Sequence, residues 1–207
     1  IFFCITFPFI IKYGMKFLSS GLLYRYASYQ LLKFEPKNKV FFLKKKFNKL
    51  KLSQLINKKF HSPEISEHTS IIAKQQKIRN VLKIFQKKFA KKHNKVVIEG
   101  RDIQTVILPN ADIKFLFKSS LNVAARRRFK ELKKRNKNIK LMDVKKAMRI
   151  RDYLDKKRKI SPLIQSKNAV IVQSDKLNIK GMVNKMSQVV EKRIRDKYGN
   201  RIRSREK

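Results

Sequence analysis

Val96-Val97-Ile98-Glu99-Gly100-Arg101-Asp102-Ile103-Gln104-Thr105 is the stretch on which the reading of the fold turns. An apolar β-branched run breaks off there into Gly, Arg and Asp. Such a run suits a strand buried on both faces, as in a parallel sheet. In open α/β sheets the ligand crevice lies outside the carboxyl ends of the strands, where a glycine lets the backbone turn and neighbouring charges face the cleft. The competing reading is a surface turn after a strand, and the flanking segments decide between the two.

Upstream, Gly14-Met15-Lys16-Phe17-Leu18 reads as a short strand and Ser19-Ser20-Gly21 as a turn and cap. A helix follows, carrying Leu22, Leu23, Tyr24, Arg25, Tyr26, Leu31 and Leu32. A strand, a small-residue turn and a helix with an Arg in its first turns form a phosphate-facing arrangement. Residues 34–57 are rich in lysine, with Val40-Phe41-Phe42-Leu43 predicted as a short strand, and mark a small inserted lobe. Ser62-Pro63-Glu64-Ile65 starts another helix. Ile78, Val81, Leu82, Phe85 and Phe89 then keep helical spacing over Gln76 to Lys91, a helix that carries Arg79.

Downstream, Pro109-Asn110-Ala111 makes a turn and Asp112 to Phe117 reads as the next buried strand. Asn122 is predicted to cap a helix running through Arg126-Arg127-Arg128 to Lys134, and the basic run ending in Arg135-Asn136-Lys137-Asn138 is expected to be a mobile lid. Ala169-Val170-Ile171-Val172 supplies a final strand; Ile179, Met182, Val183, Met186, Val190 and Ile194 mark a final amphipathic helix. The segment from Arg195 to Lys207 reads as a polar, frayed tail. Strands alternating with helices predict a mostly parallel sheet.

The opening Ile1 to Ile11 has no charged flank, no cleavage site and no polar face, and Pro8 interrupts it. It falls far short of the roughly twenty apolar residues that span a bilayer. It is expected to be neither a signal peptide nor a surface helix, but an anomalous start outside the native sequence. The whole chain, 207 residues and 42% hydrophobic, can bury one good core. A net charge of +40 favours phosphate-bearing ligands, yet the lysines are spread beside Ile, Asn and Phe rather than gathered on one element, so no specific nucleic acid is expected. Cys4 alone excludes an internal disulfide. His61, Glu64, Glu67 and His68 match neither HExxH nor HxxEH, and no metal site is assigned to them.

The strongest signal from the residues themselves is the helix Leu141 to Arg158. At about 100° per residue, Arg151, Asp155 and Arg158 fall in the same half of the wheel as Leu141, Val144, Ala147, Met148, Ile150 and Leu154. Burying unpaired charge costs several kcal/mol, so charges on an apolar face are expected to be paired or to meet a ligand. The alternative is an Arg151 to Asp155 ion pair along a helix edge. Ser161-Pro162-Leu163 ends the helix.

Several separate stretches together resemble bacterial cytidylate kinase: Ser20-Gly21-Leu22-Leu23-Tyr24-Arg25, the Ser70 to Arg79 spacing, Gly100-Arg101-Asp102-Ile103-Gln104-Thr105-Val106 with Pro109-Asn110-Ala111-Asp112-Ile113-Lys114, Arg127-Arg128, Arg151-Asp152 with Asp155 and Arg158, and Pro162-Leu163. The resemblance runs from Tyr13 to Ile194. It implies an α/β, three-layer P-loop NTPase-like fold with a mostly parallel sheet. Its core would be residues 12–33 and 79–195, its inserted NMP-binding lobe 34–78, its helical lid about 126–140 and its basic tail 196–207. It further implies transfer of the γ-phosphoryl group of ATP to CMP or dCMP, with Mg2+ as cofactor, by a cytoplasmic monomer that engages neither a specific nucleic acid nor a membrane.

Carried over by position, the resemblance implies that Ser70, Arg79 and Asp102 read cytosine, a carboxylate accepting from the exocyclic amine that uracil lacks. Ser20, Arg25, Arg101 and Arg158 would hold the acceptor phosphate, Arg151 and Asp155 the sugar, while Arg127 and Arg128 would close over ATP. The implied catalytic set is Arg101, Arg158, Arg127 and Arg128. The family's glycine-rich phosphate loop is expected to end about where this chain begins, and Ile1 to Ile11 do not supply it. Ser19 stands where the family usually has an acid, Gln104 replaces a Gly, Ala124 an Arg and Gln173 an acid. The competing readings are a CMP-binding relative without phosphoryl transfer and a basic RNA-binding protein. The latter would set stacking aromatics beside its basic patch; Phe41-Phe42 is the adjacent pair that suggests this, and both are expected in the core.

Overall fold

The computed structural model describes residues 2–134 and 137–203. In chain order its elements are α1 (Phe2–Tyr13), β1 (Lys16–Ser19), α2 (Ser20–Phe34), α3 (Lys39–Asn48), short 3-10 turns at Leu52–Leu55 and Lys58–His61, α4 (Pro63–Ile72), α5 (Gln76–Lys92), β2 (Val96–Glu99), a π-helical turn at Ile103–Ile107, β3 (Lys114–Lys118), α6 (Leu121–Lys133), α7 (Leu141–Lys157), β4 (Ala169–Gln173) and α8 (Ile179–Arg203). They form two compact units. The first comprises Met15–Pro109 with Arg158–Pro162, and the second Ile1–Gly14, Asn110–Lys157 and Leu163–Lys207.

In the first unit β1 and β2 pair in parallel, with Leu18 opposite Ile98 and Ser19 opposite Glu99. A parallel pair needs a crossover, and the helices α2 to α5 provide it. The core gathers Leu18, Leu23, Ala27, Leu31, Leu43, Ile72 and Leu82, all nearly inaccessible. Ser19 caps α2 by accepting from the Leu22 amide at 3.3 Å. Glu35 closes the same helix in the left-handed region, φ 40°, its amide donating to the Leu31 carbonyl. Ser62 caps α4 with Pro63 in the first turn, where a missing amide costs nothing. Along α5, Ile78, Val81, Leu82 and Phe89 are buried, as their spacing predicts.

The predicted strand at Val40 to Leu43 is instead part of α3. Asn38 caps that helix by accepting from the Phe41 amide, and Leu43 and Phe47, four residues apart, turn into the core together. Phe41 is 68% exposed rather than buried, whereas Phe42 packs partly against the core.

In the second unit β3 and β4 also pair in parallel, Lys114 opposite Ala169 and Lys118 opposite Gln173. The opening residues form a helix despite Pro8, contrary to expectation. Tertiary contacts hold it: Phe9 is buried and meets Phe115 edge-on at 6.4 Å, and Lys12 Nζ and Tyr13 Oη both donate to Glu191 Oε1 of α8, at 3.0 and 2.9 Å. Such anchoring offsets the hydrogen bond that proline removes. The cap of α6 is Ser120, not Asn122; its hydroxyl accepts from the Val123 amide while its own amide donates to Asp175 Oδ1 at 2.8 Å. Met182, Met186 and Val190 form the buried stripe of α8, which continues to Arg203 where a frayed tail was expected; residues 204–207 lie outside the described residues, as do Arg135 and Asn136 of the expected lid.

The apolar half of α7 is not a buried face: Val144 is buried, but Ile150 is 50% exposed and Leu154 47% exposed. No described helix is long and apolar enough to cross a membrane.

Candidate active site

In the first unit the carboxyl ends of β1 and β2 bring Ser19 beside Glu99. The Ser19 hydroxyl donates to Glu99 Oε1 at 2.6 Å, while Glu99 Oε2 is buried with no hydrogen-bond partner. Burial pushes this carboxyl above its ordinary pKa, and the Ser19 hydrogen bond only partly opposes the shift. Gly100 then turns the chain. A Cβ there would lie 2.8 Å from the Cβ of Ser20 and 2.9 Å from the Ile103 side chain, so only glycine lets the strand end approach the start of α2. Ser20, the first residue of α2, is 4% exposed at this junction.

Two residues further on lies the deepest charge in the unit. Asp102 receives a 2.5 Å ion-paired hydrogen bond from Arg79 Nη2 of α5, both side chains being more than nine-tenths buried. Arg79 is held on a second side by its Nη1 donating to the Ala73 carbonyl at 2.9 Å, and on a face by the Tyr24 ring, whose centroid is 5.7 Å from the guanidinium carbon. The Tyr24 phenol is pushed up to about 12, first by burial and then by the Asp102 charge, with Arg79 and Arg158 pulling the other way. Arg158 thus belongs to this neighbourhood, its Nε donating to the Ser161 carbonyl.

Arg25 projects from α2 toward the lobe, its Nη1 donating to the Phe60 carbonyl at 2.7 Å and to Ser66 Oγ at 2.8 Å. Ser70 sits one turn beyond Ser66 on α4, exposed, its hydroxyl donating to the Ser66 carbonyl at 3.3 Å. Ser28 and Thr69, with hydroxyls 2.9 Å apart, fasten the same two helices. The first unit therefore carries Ser20, Arg25, Ser70, Arg79, Arg101, Asp102 and Arg158.

Arg127, Arg128, Arg151 and Asp155 belong to the second unit. Arg127 Nη2 donates to the Ser174 carbonyl at 2.6 Å and to the Leu177 carbonyl at 3.2 Å, pinning the turn that follows β4. Arg128 pairs with Glu131 one turn along α6, at 2.8 Å. Arg151, 62% exposed, lies 3.9 Å from Asp155 in the i,i+4 arrangement, which is the helix-edge alternative and not a buried stripe. Arg158 is not on the wheel with them. The helix ends at Lys157, Ser161 takes a left-handed φ of 50°, and Arg158 is grouped with the first unit.

Two residues of this site carried no role in the sequence reading. Glu99 ends the VVIE run and gains significance only from its register against Ser19. Tyr24 stood inside the SGLLYR stretch, but its stacking on Arg79 depends on burial. Among the described residues no cluster of three or more His, Cys, Asp and Glu could hold a metal on its own. Mg2+ does not need one: it keeps several waters and binds through one or two carboxylates plus substrate phosphates, and the unpartnered Glu99 Oε2 fits that role.

A sequence profile of cytidylate kinase matches residues 9–192. The chain belongs to the cytidylate kinase family. It is 34% identical over 193 residues to the cytidylate kinase of Clostridium botulinum strain Okra, covering 87% of this chain and 88% of that protein. The corresponding protein of Clostridium tetani is 31% identical over 198 residues, with 88% and 85% covered, and that of Thermosipho melanesiensis 28% identical over 192 residues, with 88% of each covered. The cytidylate kinase match spans every site residue named above, Tyr24 and Glu99 included, and takes in Phe9 to Ile11 of the opening apolar run.

Proposed function

We propose that this member of the cytidylate kinase family transfers the γ-phosphoryl group of ATP to CMP or dCMP, giving CDP or dCDP and ADP, as a cytoplasmic monomer. The observation that carries the reading is the buried Arg79–Asp102 pair beneath the Tyr24 ring. An ionised Asp102 only accepts hydrogen bonds, so it suits the exocyclic amine of cytosine and opposes the carbonyl oxygen of uracil. Arg79 only donates and suits the ring nitrogen and carbonyl oxygen of cytosine; the exposed Ser70 hydroxyl is assigned to the base with them. Because Arg79 is already held by Ala73 and Tyr24, this polar edge is built before the base arrives.

Ser20, Arg25, Arg101 and Arg158 take the acceptor phosphate and spread the charge that develops as the phosphoryl group moves. Arg151 and Asp155 take the sugar, and Arg127 and Arg128 the ATP side. Mg2+, when bound, neutralises the β- and γ-phosphate oxygens, and Glu99, steadied by Ser19, would hold it through water. No segment of the printed sequence reads GxxxxGK followed by Ser or Thr, so the backbone cradle for the ATP phosphates is assigned to none of these residues.

The test is calorimetric titration with CMP, dCMP and UMP, alongside ADP release with MgATP. Leaving a buried polar group unpaired costs about 1–3 kcal/mol, so CMP and dCMP should bind roughly tenfold to a hundredfold more tightly than UMP. Asp102→Asn should narrow that gap. Equal binding of CMP and UMP by the unaltered chain would remove the cytosine assignment.

A further inference from the structure

Away from the Arg79–Asp102 pair, the first unit holds a cavity of about 810 Å³ between the C-terminal half of α2, α3 and the short turns that follow. Its wall includes the rings of Tyr29, Phe34 and Phe42. Phe34 and Phe42 lie 5.6 Å apart, and Lys46 Nζ stands over both, 4.3 Å from one centroid and 5.3 Å from the other. Lys45 and Lys49 share the wall, and none of the three ammonium groups pairs with a carboxylate among the described residues. Gln30 also lines the cavity, and its Oε1 is buried without a hydrogen-bond partner.

We propose that this cavity is a second nucleotide site, for a nucleoside triphosphate whose base carries an exocyclic amine. Each part of that ligand answers one observation. Planar rings in a cleft offer a stacking surface for a base, worth about 1–3 kcal/mol where such contacts have been removed by substitution, once Lys46 turns from the Phe34 and Phe42 rings to the phosphates. Three unpaired ammonium groups match a polyphosphate chain better than a single phosphate. The Gln30 carbonyl oxygen lacks a donor, and the amine on the base supplies one. The volume falls within the range of about 300–1,000 Å³ typical of small-molecule sites.

The cavity is lined by residues other than those assigned to the acceptor, and the proposal does not rest on the function proposed for that site. Ser20 opens α2 and Gln30 lies ten residues beyond it, about 15 Å along the helix axis at 1.5 Å per residue; Arg25, five residues before Gln30, comes nearest, donating to the carbonyl of Phe60 in the cavity wall. None of the residues assigned to CMP lines it.

The test is titration of the ¹⁵N-labelled full chain with CTP, followed by amide resonances. The expected result is saturable shifts at Gln30, Phe34, Phe42 and Lys46 that saturating CMP does not displace. Lys46→Glu with Lys49→Glu should weaken them at least tenfold; both side chains reach solvent, and unchanged amide shifts elsewhere would show an intact fold. Tripolyphosphate, which has no base, should bind at least tenfold more weakly than CTP. Shifts absent from these residues, displacement by CMP, affinity unchanged in the lysine variant, or equal binding of CTP and tripolyphosphate would each overturn the proposal.

Discussion

Ser19 and Glu99 face each other at the ends of two parallel strands, and the serine hydroxyl donates to one carboxyl oxygen at 2.6 Å while the other oxygen is buried and unpartnered. Burial leaves Glu99 with a raised pKa, which the Ser19 hydrogen bond only partly opposes. A carboxyl whose folded pKa lies above its unfolded value binds its proton more tightly when folded, so its contribution to stability is complete below the unfolded pKa and declines as pH rises through the folded one. Glu99→Gln should therefore raise the melting temperature at pH 7, with the gain disappearing as pH falls into the ordinary carboxylate range. The same variant should need more Mg2+ for half-maximal ADP release. Thermal unfolding across pH and an Mg2+ titration of the rate check the two effects.

Breaking the Arg79–Asp102 pair from one side leaves a buried charge without its partner, which costs about 3–5 kcal/mol. Asp102→Ala should show that loss in urea unfolding. Replacing both partners with apolar residues, Arg79→Met with Asp102→Leu, should recover most of the stability and none of the preference for CMP over UMP. A double variant that retained the preference would place base reading elsewhere.

Tyr24 acts through its ring. Tyr24→Phe keeps the face that covers Arg79 and should leave the KM for CMP within about twofold, whereas Tyr24→Leu removes a contact worth about 0.5–2 kcal/mol and should raise it several-fold. Because the phenol is pushed up to about 12, its contribution to stability is complete below pH 10 and declines between there and its folded pKa. Spectrophotometric titration should show Tyr24 and Tyr26, both raised by burial, ionising late, and Tyr24→Phe should remove one of these late-ionising groups.

Gly100 and Gly14 should respond differently to alanine. At Gly100 the new methyl would meet Ser20 and Ile103 at under 3.0 Å, an overpacking that costs about 1–3 kcal/mol and displaces the turn before Asp102. At Gly14 nothing lies within 4 Å, so only the left-handed backbone, φ 57°, resists the change, by about 1–2 kcal/mol. Unfolding should register both substitutions, and CMP affinity only the first.

Much of this was written in short windows of sequence. Leu18 and Ile98 belong to strands because β-branched and aromatic residues cluster there; the apolar positions of α5 recur every three or four residues; Ser19 and Ser62 cap helices because a hydroxyl satisfies an amide two or three residues ahead. These are local effects, settled within one or two turns of chain. Family resemblance added the site residues, since a combination of spaced motifs survives where no single motif is specific.

What only the tertiary structure decided was which surface each element would bury. Val40 to Leu43 suits a strand and a helix equally over four residues, and the burial of Leu43 and Phe47 against α2 and α5 selected the helix. Pro8 argued against a helix, yet Phe115 and Glu191 lie close enough to hold one. The wheel of α7 correctly placed Arg151 and Asp155 together, but it could not say whether that side faced protein or water. Arg79 and Asp102, twenty-three residues apart, are ordinary charges in sequence. Folding removes both from water, and in that low-dielectric setting each becomes the other's necessary partner.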